Sequence, residues 1–302
     1  MRERDVTIRA EDGRQLAATL VAPDAPTKPP VLIGSATAVR RGYYAKFARF
    51  LAERGHAVLT YDYRGVGGSA LPDLRADPAR MHEWGVLDLE AAIRTLKAEA
   101  GGPLLYVGHS VGGQILPLAE SRAEVSALLL VASQSGAARH WRGWNRVKLA
   151  AFWYGWVPSL LPLFGHLPGF AMGSEPLPRG VAAEWARWGR HPDYILSHRA
   201  DLAGRFRELD RPIHAFSFTD DFYCPREAAD ALLSWYGGTE KTHRHVAPAE
   251  LGARSVGHFG FFRERFRDTL WTEAAAWLAS PGRATAGAQL TGEARDRTLA
   301  PS

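Results

Sequence analysis

The chain has 302 residues, 46% of them hydrophobic, which supplies a sizeable core and suits one α/β domain carrying a large insertion. Its net charge of +5 comes from Arg residues scattered among acids with no dense basic run, a distribution that argues against nucleic acid as a partner. The single cysteine, Cys224, excludes an internal disulfide framework, offers no metal cluster and fits a reducing compartment.

In chain order, the opening MRERDVTIRAEDGRQLAATLVAP carries charges but no apolar run of the kind a secretory signal needs, so a cytoplasmic protein is expected. Residues 6–10 and 15–22 flank the EDG turn and predict a hairpin, with the next strand at 31–34. In YYAKFARFLAERG, Tyr44, Phe47, Phe50 and Leu51 recur at helical spacing and Gly55 stands as the C-cap. HAVLTYD is the following strand. After it come the glycine-rich YRGVGGS, a helix over 84–100, the strand LLYVGH and a helix after Ser110. ALLLVAS, IHAFSFTD and THRHVAP read as further strands, and FRDTLWTEAAAWLA as a closing helix. The alternation predicts a mostly parallel sheet of about eight strands flanked by helices on both faces.

Two segments break the alternation. Some seventy residues separate ALLLVAS from IHAFSFTD, too many for a plain crossover, so 137–207 is expected to be an inserted helical cap on a core made of 1–136 and 208–280. Residues 149–173 of this insert have no Lys, Arg, Asp or Glu, yet Pro158, Pro162 and Pro168 would each remove a backbone donor from a membrane span. Short helical pieces in a lid are expected, with no transmembrane span. The tail 281–302, rich in Ala, Thr, Gly and Arg without apolar period, reads as disordered.

The chemistry centres on GHSVG. Ser110 sits between Gly108 and Gly112, where a strand runs into a helix and small residues permit a tight turn that lifts the hydroxyl above the sheet. The pentapeptide alone is weak, because Gly and Ser are common; its position between strand and helix strengthens it. A serine hydroxyl needs a base, usually His, oriented by a carboxylate. FSFTDDFYCP places Asp220 and Asp221 just after an apolar strand, and ARSVGHFGFF places His258 among small residues after the last one. His243 and His245 fall within a predicted strand, and His109, beside the nucleophile, is aimed elsewhere, which leaves His258 as the base. The order Ser, Asp, His is the one expected for a nucleophile on a strand-turn-helix elbow. Cys224, near the acids but without a base of its own, reads as an ordinary buried thiol.

The chain from Val6 to Ala279 resembles the α/β-hydrolase superfamily, and more narrowly the bacterial group of predicted α/β-hydrolases related to serine aminopeptidases and monoacylglycerol lipases. The resemblance is carried by SATAVRRGYYAKFARFLAERGHAVLTYDYRGVGGS, GHSVGGQ, LPRGVAAEWARWGRHPDYI and SVGHFGFF. In that family a Pro often follows the catalytic acid by four residues; Pro225 selects Asp221, and leaves Asp220 as the alternative with a loop-capping role. The resemblance implies an oxyanion hole built from the N–H of Val111 and that of Ala36 or Thr37, with Gly34 and Ser35 standing where the commoner signature is His-Gly. DYRGVGGS also resembles the family's turn after its fourth strand, and the residues themselves read as a glycine-permitted structural turn in which Asp62 and Arg64 pair or cap.

Six cap tryptophans, Trp141, Trp144, Trp153, Trp156, Trp185 and Trp188, are expected mainly to pack the lid, a few of them roofing the pocket, with Trp153 and Trp156 as the substrate-binding candidates. The expected activity is that of a serine hydrolase without cofactor or metal, acting on a small-molecule acyl substrate: a carboxylic ester, or less favoured, a thioester or amide. Its rivals are an acyltransferase with the same triad, a catalytically dead binding module, against which the complete Ser, Asp and His set argues, and an aminopeptidase, which needs acids at the pocket, for which the lid offers few candidates beyond Glu175 and Glu184. The sequence assigns no oligomeric state.

Overall fold

Strands β1 (Arg2–Arg9) and β2 (Gln15–Ala22) form the opening hairpin, with Arg2 opposite Ala22 and Arg9 opposite Gln15. The computed structural model describes residues 1–238 and 240–282; of the tail expected to be disordered, 283–302 lie outside the described residues. β3 (Val31–Gly34), β4 (Val58–Tyr61), β5 (Leu104–His109) and β6 (Val125–Val131) follow, and they join the hairpin in a single eight-stranded sheet with two later strands, β9 (Ile213–Phe218) and β10 (Lys241–Val246). The order across the sheet is β1-β2-β4-β3-β5-β6-β9-β10, antiparallel on the β1-β2-β4 side and parallel from β4 to β10.

Every residue of β3, β4 and β5 is buried, as expected for strands covered on both faces. One face packs against α1 (Ala45–Ala52), where Phe47 and Phe50 meet Trp271 at ring separations of 5.4 and 5.3 Å. The opposite face is covered by α2 (Glu90–Ala100). The helix expected over 84–100 opens with a wide i→i+5 turn at Trp84–Leu89 before α2. The helix after Ser110 shrinks to α3 (Gly112–Ile115), since Pro117 has no N–H to carry it on.

Between β6 and β9 the chain forms α4 (Gly143–Ala151), a second wide turn at Phe152–Trp156 and α5 (Val157–Phe164). A two-stranded hairpin of β7 (His166–Leu167) and β8 (Leu177–Pro178) follows, then α6 (Arg179–Arg190) and α7 (Leu202–Glu208). Among the described residues, no helix is long and apolar enough to cross a membrane. The buried guanidinium of Arg205 on α7 donates to the carbonyls of Pro117, Leu118 and Ala119 and pairs with Glu120 at 2.7 Å, fastening the end of the insert to the segment after α3. The chain closes with β9 (Ile213–Phe218), α8 (Arg226–Trp235), β10 (Lys241–Val246) and α9 (Thr272–Ala279).

At the turn after β4, Asp62 accepts from the Arg41 N–H at 2.5 Å, the Arg41 guanidinium at 2.6 Å and the Gly68 N–H at 2.9 Å. Arg64 pairs with buried Asp88 at 2.7 Å and reaches Asp12 at 2.8 Å. Both side chains are consumed by holding the turn.

Candidate active site

β3 and β5 run in parallel register, with Gly34 beside Gly108, so the loops leaving their C-terminal ends lie side by side. Ser110 begins the turn out of β5 with φ +52, a left-handed conformation that a non-glycine residue adopts only where its surroundings impose it. Its own N–H is anchored on the Val131 carbonyl at 2.9 Å. The flanking glycines are required by close approach: a Cβ on Gly108 would lie 2.7 Å from the Gly113 nitrogen, and one on Gly112 would lie 2.4 Å from the Gly34 oxygen.

His258 follows β10, on a loop with Gly257 at φ +60. Its Nδ1 lies 2.8 Å from Asp221 Oδ2, and both side chains are buried. The other Asp221 oxygen accepts the N–H groups of Tyr223 and Cys224, at 2.8 and 3.2 Å. With a carboxylate facing Nδ1, the ring proton belongs on that nitrogen and Nε2 presents a lone pair. Asp220 turns the other way and accepts from the Val256 and Gly257 N–H groups at 2.9 and 3.0 Å, which braces the loop just ahead of His258. The neighbouring Cys224 is fully buried, and burial pushes its thiol well above the ordinary range.

Of the two sites named for the second oxyanion donor, Ala36 is spent elsewhere. Its N–H donates to Tyr44 Oη at 2.8 Å, and one N–H cannot also point into the cavity. Among the described residues the N–H groups of Thr37 and Val111 find no acceptor, and Thr37 lines the same cavity as Ser110. Tyr44 is a participant that sequence reading took only as core. Its hydroxyl lies 2.9 Å from His109 Nδ1, while His109 Nε2 lies 2.9 Å from the His258 carbonyl. A carbonyl can only accept, so Nε2 carries the proton, Nδ1 accepts from Tyr44, and burial keeps the His109 pKa well below the ordinary imidazole value. A buried chain thus links the loop after β3, the residue before Ser110 and the backbone of His258. Tyr44→Phe strands the Ala36 N–H and the His109 nitrogen together; a loss of about 1–3 kcal/mol is expected from urea midpoints. A change within about 0.5 kcal/mol would show that the hydroxyl is not the brace.

Ser110 and His258 open onto one cavity of about 250 Å³. The core contributes Ala36, Thr37 and Phe259; the insert contributes Trp141, Leu149, Phe152, Trp153 and Trp185. Trp156 is not among the lining residues. It is 47% exposed and donates to the Ala171 carbonyl at 3.3 Å, because within the Phe152–Trp156 turn the wider winding takes residues three apart off a common face. Trp144 is exposed, and Trp188 is buried in packing away from the cavity. Neither of the two lid glutamates faces the cavity: Glu175 pairs with Arg40 at 2.7 Å, and Glu184 with His82 and Arg187 at 2.8 Å each. Histidine aside, the one ionisable cationic side chain among the described lining residues is Lys148.

Comparison with known proteins agrees with this architecture. Residues 26–175 match a hydrolase family described as serine aminopeptidase, S33. No curated protein matches the chain significantly. Among solved structures, a soluble variant of monoglyceride lipase from Saccharomyces cerevisiae, in complex with a substrate analog, superposes with a TM-score of 0.63 at 16% identity, over 90% of this chain and 93% of that one. The esterase domain of a Rhodothermus marinus protein gives 0.59 at 20% identity, covering 94% of this chain and 100% of that one. An esterase of Pyrococcus furiosus gives 0.59 at 14% identity, over 92% and 90%. The chain has the α/β-hydrolase fold, and about half of it matches this hydrolase family.

Proposed function

We propose that the protein hydrolyses carboxylic esters of a partly apolar acyl group through Ser110, His258 and Asp221. The observation that carries this reading is the 2.8 Å contact between His258 Nδ1 and a buried Asp221, with His258 Nε2 unpaired among the described residues and His258 lining the same cavity as a serine held at φ +52. His258 takes the Ser110 proton as the oxygen attacks the carbonyl, then returns it to the leaving alkoxide; Asp221 holds the ring and balances its charge. The N–H groups of Val111 and Thr37 receive the oxyanion, each worth about 3–4 kcal/mol in the transition state. Water, activated in turn by His258, releases the acid. The steps call for no cofactor. Residues 137–207 act as the lid that shapes the acyl site.

An aminopeptidase reading is disfavoured by the same lining. An α-ammonium group needs a carboxylate, whereas Glu175 and Glu184 are committed elsewhere and Lys148 would repel it. The test is a panel of neutral esters of increasing acyl length, run beside aminoacyl amides. Each methylene that enters the cavity contributes up to about 0.8 kcal/mol, so kcat/KM should climb over the first several carbons and then level. Trp153→Ala should move the optimum to longer chains, while Trp156→Ala leaves the ranking intact. A flat profile, or faster cleavage of aminoacyl amides, overturns the reading.

A further inference from the structure

We propose that His82, Glu184 and His198 form a binding site for one divalent transition-metal ion, of the Zn²⁺ type, that clasps the insert to the core. Sequence reading expected no metal, on the strength of a single cysteine; this donor set is nitrogen and oxygen, and its members lie 102 and 14 residues apart. His82 belongs to the core segment just before the Trp84–Leu89 turn, Glu184 lies in the middle of α6, and His198 follows the Tyr194–Ser197 turn of the insert. One ligand atom from each residue lies within 4.8 Å of the others.

The distances suit a coordination sphere. His82 Nδ1 is 2.8 Å from Glu184 Oε2, close to the edge between two ligands on an ion with bonds of about 2.0–2.2 Å. His198 Nδ1 is 3.9 Å from Glu184 Oε1, within the span of two such bonds but too far for a hydrogen bond. The two imidazoles face each other 4.7 Å apart at 26°.

The unexplained feature is His198 Nδ1. It is sealed from solvent and has no hydrogen-bond partner among the described residues, although it lies near a carboxylate whose side chain is only 4% exposed. A buried unpaired nitrogen is costly, and a cation shared with Glu184 and His82 satisfies it. Glu184 has two competing donors besides the His82 ring: the His82 N–H at 2.9 Å and the guanidinium of Arg187 at 2.8 Å. Arg187 is 61% exposed and can swing aside, whereas the N–H bond leaves Oε2 a second lone pair. Two imidazoles and one carboxylate suit Zn²⁺, Co²⁺ or Ni²⁺ over Mg²⁺ or Ca²⁺, which take oxygen sets.

This site lies apart from the cavity of Ser110 and does not depend on the ester-hydrolase reading. The full chain, dialysed against chelator, is titrated with Zn²⁺ by calorimetry and with Co²⁺ by visible absorption. The expected result is one Zn²⁺ per chain and a raised melting temperature, with His82 passing to the tautomer that carries its hydrogen on Nε2 so that the Nδ1 lone pair can bind the ion. Glu184→Gln and His198→Ala should each weaken binding at least tenfold, while Ser110→Ala leaves it unchanged. Should a variant fail to fold, Co²⁺ on the unaltered chain serves instead: the ring signals of His82 and His198 should be the paramagnetically shifted pair. No saturable binding, binding that survives both substitutions, or shifted signals from other histidines overturns the proposal.

Discussion

A fluorophosphonate should label the protein at Ser110, and Ser110→Ala should abolish both the label and ester hydrolysis. The expected loss of kcat is on the order of 10⁶-fold, the size seen when the nucleophile of a serine triad is removed, with a residue of catalysis left to the oxyanion donors and binding. The reasoning begins with backbone strain. Ser110 is a non-glycine residue at φ +52, and its conformation is maintained by Gly108 and Gly112, where a single methyl would collide with backbone atoms. A left-handed serine at the end of a fully buried strand puts its hydroxyl out of the sheet and into the cavity. The alanine variant keeps the turn, so its melting temperature should stay near that of the parent. Labelling that persists in Ser110→Ala would place the nucleophile elsewhere and remove the proposed mechanism.

Much of this arrangement is legible in the sequence because the pieces are local. The apolar runs 31–34, 104–109 and 125–131 occupy the central strands, where burial on both faces leaves no polar alternation to misread. The elbow is a pentapeptide, and its glycines carry their own steric reason. What escapes the sequence is non-local or depends on winding. β1 starts at Arg2 and not at Val6, since an edge strand tolerates RERD on its exposed side and hides its periodicity. Trp153 and Trp156, three apart, look like one helical face until the turn between them widens. Ala36 and Thr37 cannot be told apart as proposed oxyanion donors from the loop alone, because the group that takes the Ala36 N–H is the Tyr44 hydroxyl, eight residues on and read as core. The His82, Glu184 and His198 cluster has no local spacing at all; only the docking of α6 on the core assembles it.

The network behind the proposed triad holds its residues from several sides. His258 is held at its ring by Asp221 and at its carbonyl by His109, whose other nitrogen engages Tyr44. Each contact uses a proton that only one partner can supply, so the tautomers of both histidines follow from their neighbours. A base whose ring and backbone are fixed from separate directions needs little reorganisation when the hydroxyl proton moves, which is the condition for electrostatic preorganisation.

Adjacent Asp220 and Asp221 should respond unequally to the same change. Asp221→Asn is expected to lower kcat by about 10⁴-fold, because an amide offers either a donor that clashes with the His258 Nδ1 proton or a weak acceptor, and the ring then favours the tautomer with Nε2 protonated and useless as a base. Loss of the negative charge also leaves the imidazolium uncompensated in the transition state. Asp220→Asn touches no ring. Its carboxylate accepts from the Val256 and Gly257 N–H groups, and an Asn oxygen can keep one of those bonds, so the loop ahead of His258 loosens without losing its base. The expected effect is a fall in activity of no more than about tenfold, with a stability loss of about 1 kcal/mol for the weakened bonds. Activity and urea midpoints measured on both variants separate the roles: Asp221→Asn should be nearly as stable as the parent and almost inactive, Asp220→Asn active and less stable. The reverse ranking in kcat would assign the orienting carboxylate to Asp220 and require a different loop conformation in solution.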